Sequence, residues 1–250
     1  MASAVSPTLR VFPDPAALAE GLAAAVVGLA RAAADRCGRF ALAVPGGQSP
    51  RPLYAVLARR RADLPWPSTH IFWVDERYVP PDHPLSNYRL VWEMLLNPVG
   101  VPPSNIHPMP TGLPGPEAAA AAYEAELKGW FGTLFPRFDL VLLGLGADGH
   151  IASLLPGSAA LTEERRAVRA VASPRSGPTR LTLTFPALNS AAHVYVLASG
   201  RQKAAALQRA LAPTGNVFEC PARGLRPADG ELVWWADEAA ASLLGVTPDG

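Results

Sequence analysis

Asp148 and His150, separated by one glycine, are the two residues of this 250-residue chain best suited to moving a proton. They lie in GLGADGHIASLLPG, Gly144 to Gly157, directly after an apolar run that reads as a buried strand. An imidazole titrates near neutral pH, so it can take a proton from water and hand it to a leaving group. The neighbouring acid can orient the ring or stabilise its cation. The segment reads as a strand, a Gly-rich turn and a short helix that Pro156 cuts off. Gly144, Gly146 and Gly149 also fit GxGxxG, the dinucleotide pattern. Its mid-chain position, the early proline and the lack of an acid about 20 residues on argue against a nucleotide site. A histidine satisfied by backbone is the plain alternative.

Other segments carry groups suited to holding an anion. In VPGGQSPRPLY, Gly46, Gly47, Gln48 and Ser49 form a turn into a helix that Pro50 opens, with Ser49 expected as its cap. Backbone N–H groups at such a turn can face an anion. In FWVDERYVPPDHPLSNYRL, the charges Asp75, Glu76 and Arg77 follow an apolar strand. A guanidinium there can clamp a phosphate or carboxylate. Arg180 opens the run RLTLTF, and Lys203 stands at the start of a helix after HVYVLASG. A cation at a helix start opposes the helix dipole, and a nearby anion would explain it. Each feature has an ordinary structural reading: a cap, a solvated loop, a surface lysine. His83 is the second-choice functional histidine, while His70, His107 and His193 read as structural. Asp75, His83, Asp148 and His150 could be assembled around a metal, but their spacing does not demand it. The sequence has no GxSxG elbow and no HExxH.

These residues need elements to carry them. Phe40–Val44, His70–Val74, Phe138–Leu143 and His193–Ala198 read as buried parallel strands. Leu181–Phe185 and Leu232–Ala236 are further strand candidates. Helical patterns fall near Pro15–Arg36, Pro50–Arg61, Ser86–Leu96, Pro116–Phe131, Arg201–Leu211 and Asp237–Leu244. The alternation predicts an α/β fold: a doubly wound, mostly parallel sheet with helices on both faces, Rossmann-like. Pro98 to Pro116 reads as a surface connection. Site segments on both sides of it favour one domain over residues 1–250.

Composition narrows the field. Hydrophobic residues make up 49% and charged residues 17% of the chain. That balance is typical of a folded globule. A net charge of +1 with no Lys/Arg run gives no hold on nucleic acid or membrane. Ala16 to Ala34 reads as a helix rather than a span, and MASAVSPTLRVF lacks the pattern of a signal peptide. Cys37 and Cys220 lie far apart, consistent with a reduced cytosolic protein, with one bridge left open.

Together the segments GG-x-S-P, WVDERYV with its SNY, GLGADGHIASLLPG and RLTLTFP…VLASGRQKA resemble the 6-phosphogluconolactonase family. They span Val44 to Leu207 in order. The related glucosamine-6-phosphate deaminases are similar in their GG and DGH segments, but read DEY where this chain has DER. Pro45 and Gln48 depart from the family's SGGSTP loop. The resemblance implies the sugar-phosphate isomerase/deaminase type of fold and hydrolysis of 6-phospho-D-glucono-1,5-lactone, with no cofactor and no metal. It implies His150 as base beside Asp148. It implies Gly46, Gly47, Gln48, Ser49, Arg77, Arg180 and Lys203 around the phosphate, and Asp75 facing the sugar. The expected partner is a small sugar phosphate, with no nucleic acid or membrane, for a cytoplasmic monomer or small homo-oligomer. A deaminase-like enzyme or a non-catalytic sugar-phosphate sensor are the alternatives.

Overall fold

Phe40–Val44 is buried at every position, so this strand must be covered on both faces. It lies inside a seven-stranded parallel sheet in the computed structural model, which describes residues 8–173 and 177–245. The strands of that sheet are β1 (Thr8–Phe12), β2 (Phe40–Val44), β3 (Thr69–Trp73), β5 (Ile106–His107), β6 (Leu140–Gly144), β9 (His193–Ala198) and β10 (Glu231–Asp237). Their spatial order is β1-β10-β9-β6-β2-β3-β5. From β2 the chain steps outward to β3 and β5, then returns to the other side of β2 as β6. The crossovers therefore diverge between β2 and β6, which opens a crevice at the carboxyl ends of those strands.

A second sheet has no counterpart in the sequence reading. β4 (Asp75–Arg77), β8 (Arg180–Leu183) and β7 (Val168–Val171) form an antiparallel ribbon in the order β4-β8-β7. Val74 joins the two sheets: its N–H donates to Val44 O at 3.1 Å, and its carbonyl accepts from Leu183 N at 2.9 Å. The charged run thus forms a strand of its own. The RLTLTF run is a strand as expected, but antiparallel and outside the main sheet.

The helices are α1 (Pro15–Cys37), α2 (Arg51–Arg59), α3 (Asn87–Val91), α4 (Asn97–Val99), α5 (Pro116–Phe131), α6 (Phe185–Asn189), α7 (Ala204–Leu211) and α8 (Glu238–Ala241). Asp14 caps α1 by accepting from Ala16 N and Ala17 N, each at 2.8 Å. Gly38 ends α1 at φ 73°. By length and hydropathy α1 could cross a membrane, but Leu18, Leu22, Val26 and Ala30 are buried in the protein core. Between α3 and α4, Trp92–Leu96 forms a π-turn, with Asn97 N donating to Trp92 O five residues back. Pro98 accounts for it: the ring carries no N–H and crowds the carbonyl four residues earlier.

Two local expectations fail here, and one open question is answered. The stretch after His150 is not a helix: Ile151 bridges to Leu154, and Ala152 takes φ 48° in a tight turn. Pro98 to Pro116 is more than a connection, because it contributes β5 to the sheet edge beside β3. His107 therefore lies on a strand, with Nε2 3.1 Å from His70 Nδ1 and Nδ1 2.9 Å from Glu126. The bridge left open between the cysteines is absent: Cys37 is exposed, Cys220 is buried, and both are free. The N-terminal stretch that lacks a signal-peptide pattern lies mostly outside the described residues.

Candidate active site

Five chain segments meet at the crevice. Gly46, Gly47, Gln48 and Ser49 follow β2; Asp75 and Arg77 lie on β4; His150 follows β6; Arg180 opens β8; Lys203 follows β9. All of them line one open cleft, and Asn87 from α3 lines it with them. Asp148 does not line the cleft but bonds to His150, which does. The site residues expected from the sequence therefore lie in or against this one cleft.

The turn after β6 is shaped by two close approaches. His150 Nδ1 lies 2.6 Å from Asp148 Oδ1, which also accepts the His150 backbone N–H at 3.1 Å. A Cβ on Gly146 would fall 2.1 Å from His150 Nδ1, so only glycine lets the ring lie against the backbone. Gly149 sits at φ 93°, and a Cβ there would meet Cys220 Sγ at 2.7 Å. The hydrogen bond to His150, partly offset by burial, holds the Asp148 carboxyl down at about 2. Asp148 is therefore ionised at neutral pH. With the proton on Nδ1 engaged by Asp148, Nε2 is the ring's free acceptor.

The opposite wall is basic. Arg77 and Arg180 stand directly opposite each other across β4 and β8. Like charges so placed repel, and a shared anion offsets that repulsion. Burial lowers Arg180 below its ordinary value; Asp75 and Asp148 oppose this, while Arg77 adds to it. The Arg180 Nε–H is buried without a partner among the described residues. Burial likewise holds Lys203 below its ordinary value, against the pull of Asp148. Lys203 sits in a 3₁₀ turn, Arg201–Lys203, just before α7. Asp237, 1% exposed, fixes that turn by accepting from Ser199 Oγ at 2.6 Å and Gly200 N at 2.9 Å.

The Gly46–Ser49 loop is held from below, where Tyr54 OH donates to Pro45 O at 2.5 Å. Ser49 does not cap α2 as expected. The cap position is Pro50, which makes no side-chain bond, so the Ser49 hydroxyl stays at the cleft. His83, the second-choice histidine, lies elsewhere: its Nδ1 accepts from Leu85 N at 3.0 Å, and it does not line the cleft. No group of three metal-binding side chains, including any built from His83, exists among the described residues.

Two contributors escape a reading of the sequence alone: Asn87 and Ser153 both bond to Asp75. Glu76, one of the charges after the strand, anchors the SNY segment. Glu76 is 2% exposed, and burial raises its carboxyl above the usual range against the N–H donors of Asn87, Tyr88 and Arg77. The one available signal is SNY itself, a polar triplet just after the DER strand.

Known proteins resemble this chain along most of its length. The family model for glucosamine-6-phosphate isomerases/6-phosphogluconolactonase matches residues 13–234. A 6-phosphogluconolactonase from a Synechocystis species is 44% identical over 219 residues, covering 86% of this chain and 89% of its own. One from a Nostoc species is 38% identical, covering 96% and 99%. The solved 6-phosphogluconolactonase from Trypanosoma cruzi superposes with a TM-score of 0.86 at 29% identity, covering 98% of this chain and 99% of that one. With a Gly-seated histidine on one wall and paired arginines on the other, the chain belongs to the glucosamine-6-phosphate isomerase/6-phosphogluconolactonase family.

Proposed function

We infer that the chain hydrolyses 6-phospho-D-glucono-1,5-lactone to 6-phospho-D-gluconate, a step of the pentose phosphate pathway. The observation that carries this reading is the His150–Asp148 pair at 2.6 Å, facing Arg77, Arg180 and Lys203 across one cleft. A lactone carbonyl is already activated, so water can attack it without a covalent enzyme intermediate. His150 Nε2 takes a proton as the water oxygen bonds to C1. Asp148 balances the imidazolium that forms. The C1–ring oxygen bond then breaks, and the leaving oxygen takes the proton back from Nε2.

The phosphate lies far from C1 in the substrate and is untouched by the chemistry. Arg77, Arg180, Lys203 and the Gly46–Ser49 loop hold it, and that binding positions the carbonyl against His150. Gln48 contributes through its backbone N–H, as the turn into α2 does at its other positions. Asp75 faces the sugar. The steps are supplied by side chains and water, with no cofactor or metal assigned a role. One domain, residues 1–250, carries the whole site. Its two free thiols suit a cytoplasmic setting.

Turnover of freshly made lactone, coupled to oxidation of 6-phosphogluconate, should exceed spontaneous hydrolysis. Rates equal to background would overturn the reading. Ammonia release from glucosamine 6-phosphate would decide for a deaminase, and phosphate-ester binding without turnover would decide for a sensor.

A further inference from the structure

The SNY segment has no part in the chemistry above, yet its asparagine sits at the centre of the basic wall. Asn87 is 1% exposed. Its Nδ2 donates to Asp75 O at 2.8 Å and to Asp75 Oδ1 at 3.0 Å. Its Oδ1 accepts from Arg77 Nη1. The other Asp75 oxygen accepts from Ser153 Oγ at 2.6 Å, and Arg180 Nη1 reaches that same hydroxyl at 3.4 Å. An unbroken chain therefore runs Arg77–Asn87–Asp75–Ser153–Arg180, and its two ends face each other across β4 and β8.

We propose that Asn87 is a positioning residue: its buried carboxamide fixes Arg77 against Asp75, so that Arg77 and Arg180 present two guanidiniums to one phosphate. Only an amide can do this. Its carbonyl end suits a guanidinium, its NH₂ end suits a carboxylate, and the two face opposite ways. Arg77 commits Nη1 to Asn87 and to Leu85 O, which leaves Nε and Nη2 for an anion. Gly46 protects the arrangement, since a Cβ there would fall 1.8 Å from Asn87 Oδ1. The glycine of the phosphate loop thus makes room for the residue that aims the arginine.

This inference rests on the lactonase reading for its substrate but not for its binding measurement. In Asn87→Ala and Asn87→Leu, affinity for inorganic phosphate and for 6-phosphogluconate, measured by calorimetry, should fall together by about 10- to 100-fold, the weight of one charge-assisted hydrogen bond. KM for the lactone should rise by a similar factor, with kcat within about threefold. Ser153→Ala, which cuts the chain on the Arg180 side, should weaken phosphate affinity in the same direction. It also serves if the Asn87 variants fail to fold. Variants that lose thermal stability yet keep phosphate affinity within about twofold would reduce Asn87 to scaffold. A fall in kcat larger than the rise in KM would place it in the chemical step instead. Either result overturns the proposal, as would a wild-type protein that binds neither anion. Lost phosphate affinity in a protein that does not hydrolyse the lactone would support the positioning role and sink only the lactonase reading.

Discussion

In the proposed mechanism the chemistry turns on His150, and its removal is the sharpest single test. A positioned base contributes about 10² to 10⁴-fold, so His150→Ala should lower kcat by that factor with KM little changed. Initial rates corrected for spontaneous lactone opening measure it, and near-wild-type kcat would dismiss the base. Asp148 leaves a mark on stability as well. Its folded value of about 2 lies below the ordinary 3.8. Its contribution is therefore complete above about pH 4 and is lost as pH falls toward about 2. The melting-temperature advantage of wild type over Asp148→Asn should shrink across that window. A gap that stays constant would contradict the ion pair. This dyad is legible in the sequence because its members stand two residues apart. The Arg77–Arg180 pairing is not: both arginines are candidates, but nothing local says that β4 and β8 lie antiparallel in that register. Asn87 is hidden for the same reason, since Asp75, Arg77 and Gly46 define its role.

At the scale of elements, the turns do the positioning and the strands fix the turns. Gly149 is held left-handed against Cys220. Gly149→Ala should therefore destabilise by about 2 kcal/mol or more in chemical denaturation, and kcat should fall with it. Asp237 joins two elements: it caps α8 through Ala240 N at 2.7 Å and ties down the turn that carries Lys203. Asp237→Ala should destabilise by about 2 to 4 kcal/mol and raise the phosphate dissociation constant. Full phosphate affinity in a folded variant would show that Lys203 is aimed by other contacts. The main strands and long helices can be read directly, because continuous apolar runs and Ala-rich helical patterns are local signals. The antiparallel ribbon cannot. β4 is three residues long and charged, and its partner alternates polar and apolar residues although Leu181–Leu183 are buried, so no run of sequence announces the pairing. Pro156 reads as the end of a helix, but the chain has already turned back at Ala152.

For the whole molecule, a net charge of +1 leaves attraction for the substrate to the cleft alone. Screening should then act on that patch: kcat/KM for the phosphorylated lactone should fall as salt rises from about 0.05 to about 0.5 M, while unphosphorylated glucono-1,5-lactone should respond little. Equal salt sensitivity for both would remove the basic wall from substrate capture. The doubly wound order of the sheet is legible as a class, but its edges are not. β1 and β5 are short, half-exposed segments without a strong apolar run. One edge has a consequence for biogenesis. Among the described residues β1 pairs with β10 alone, Thr8 against Val233. On the ribosome β1 emerges long before β10 and must wait for it. Its edge groups stay open to other chains throughout that interval. Slowing synthesis late in the message should therefore raise aggregation of this protein more than slowing it early.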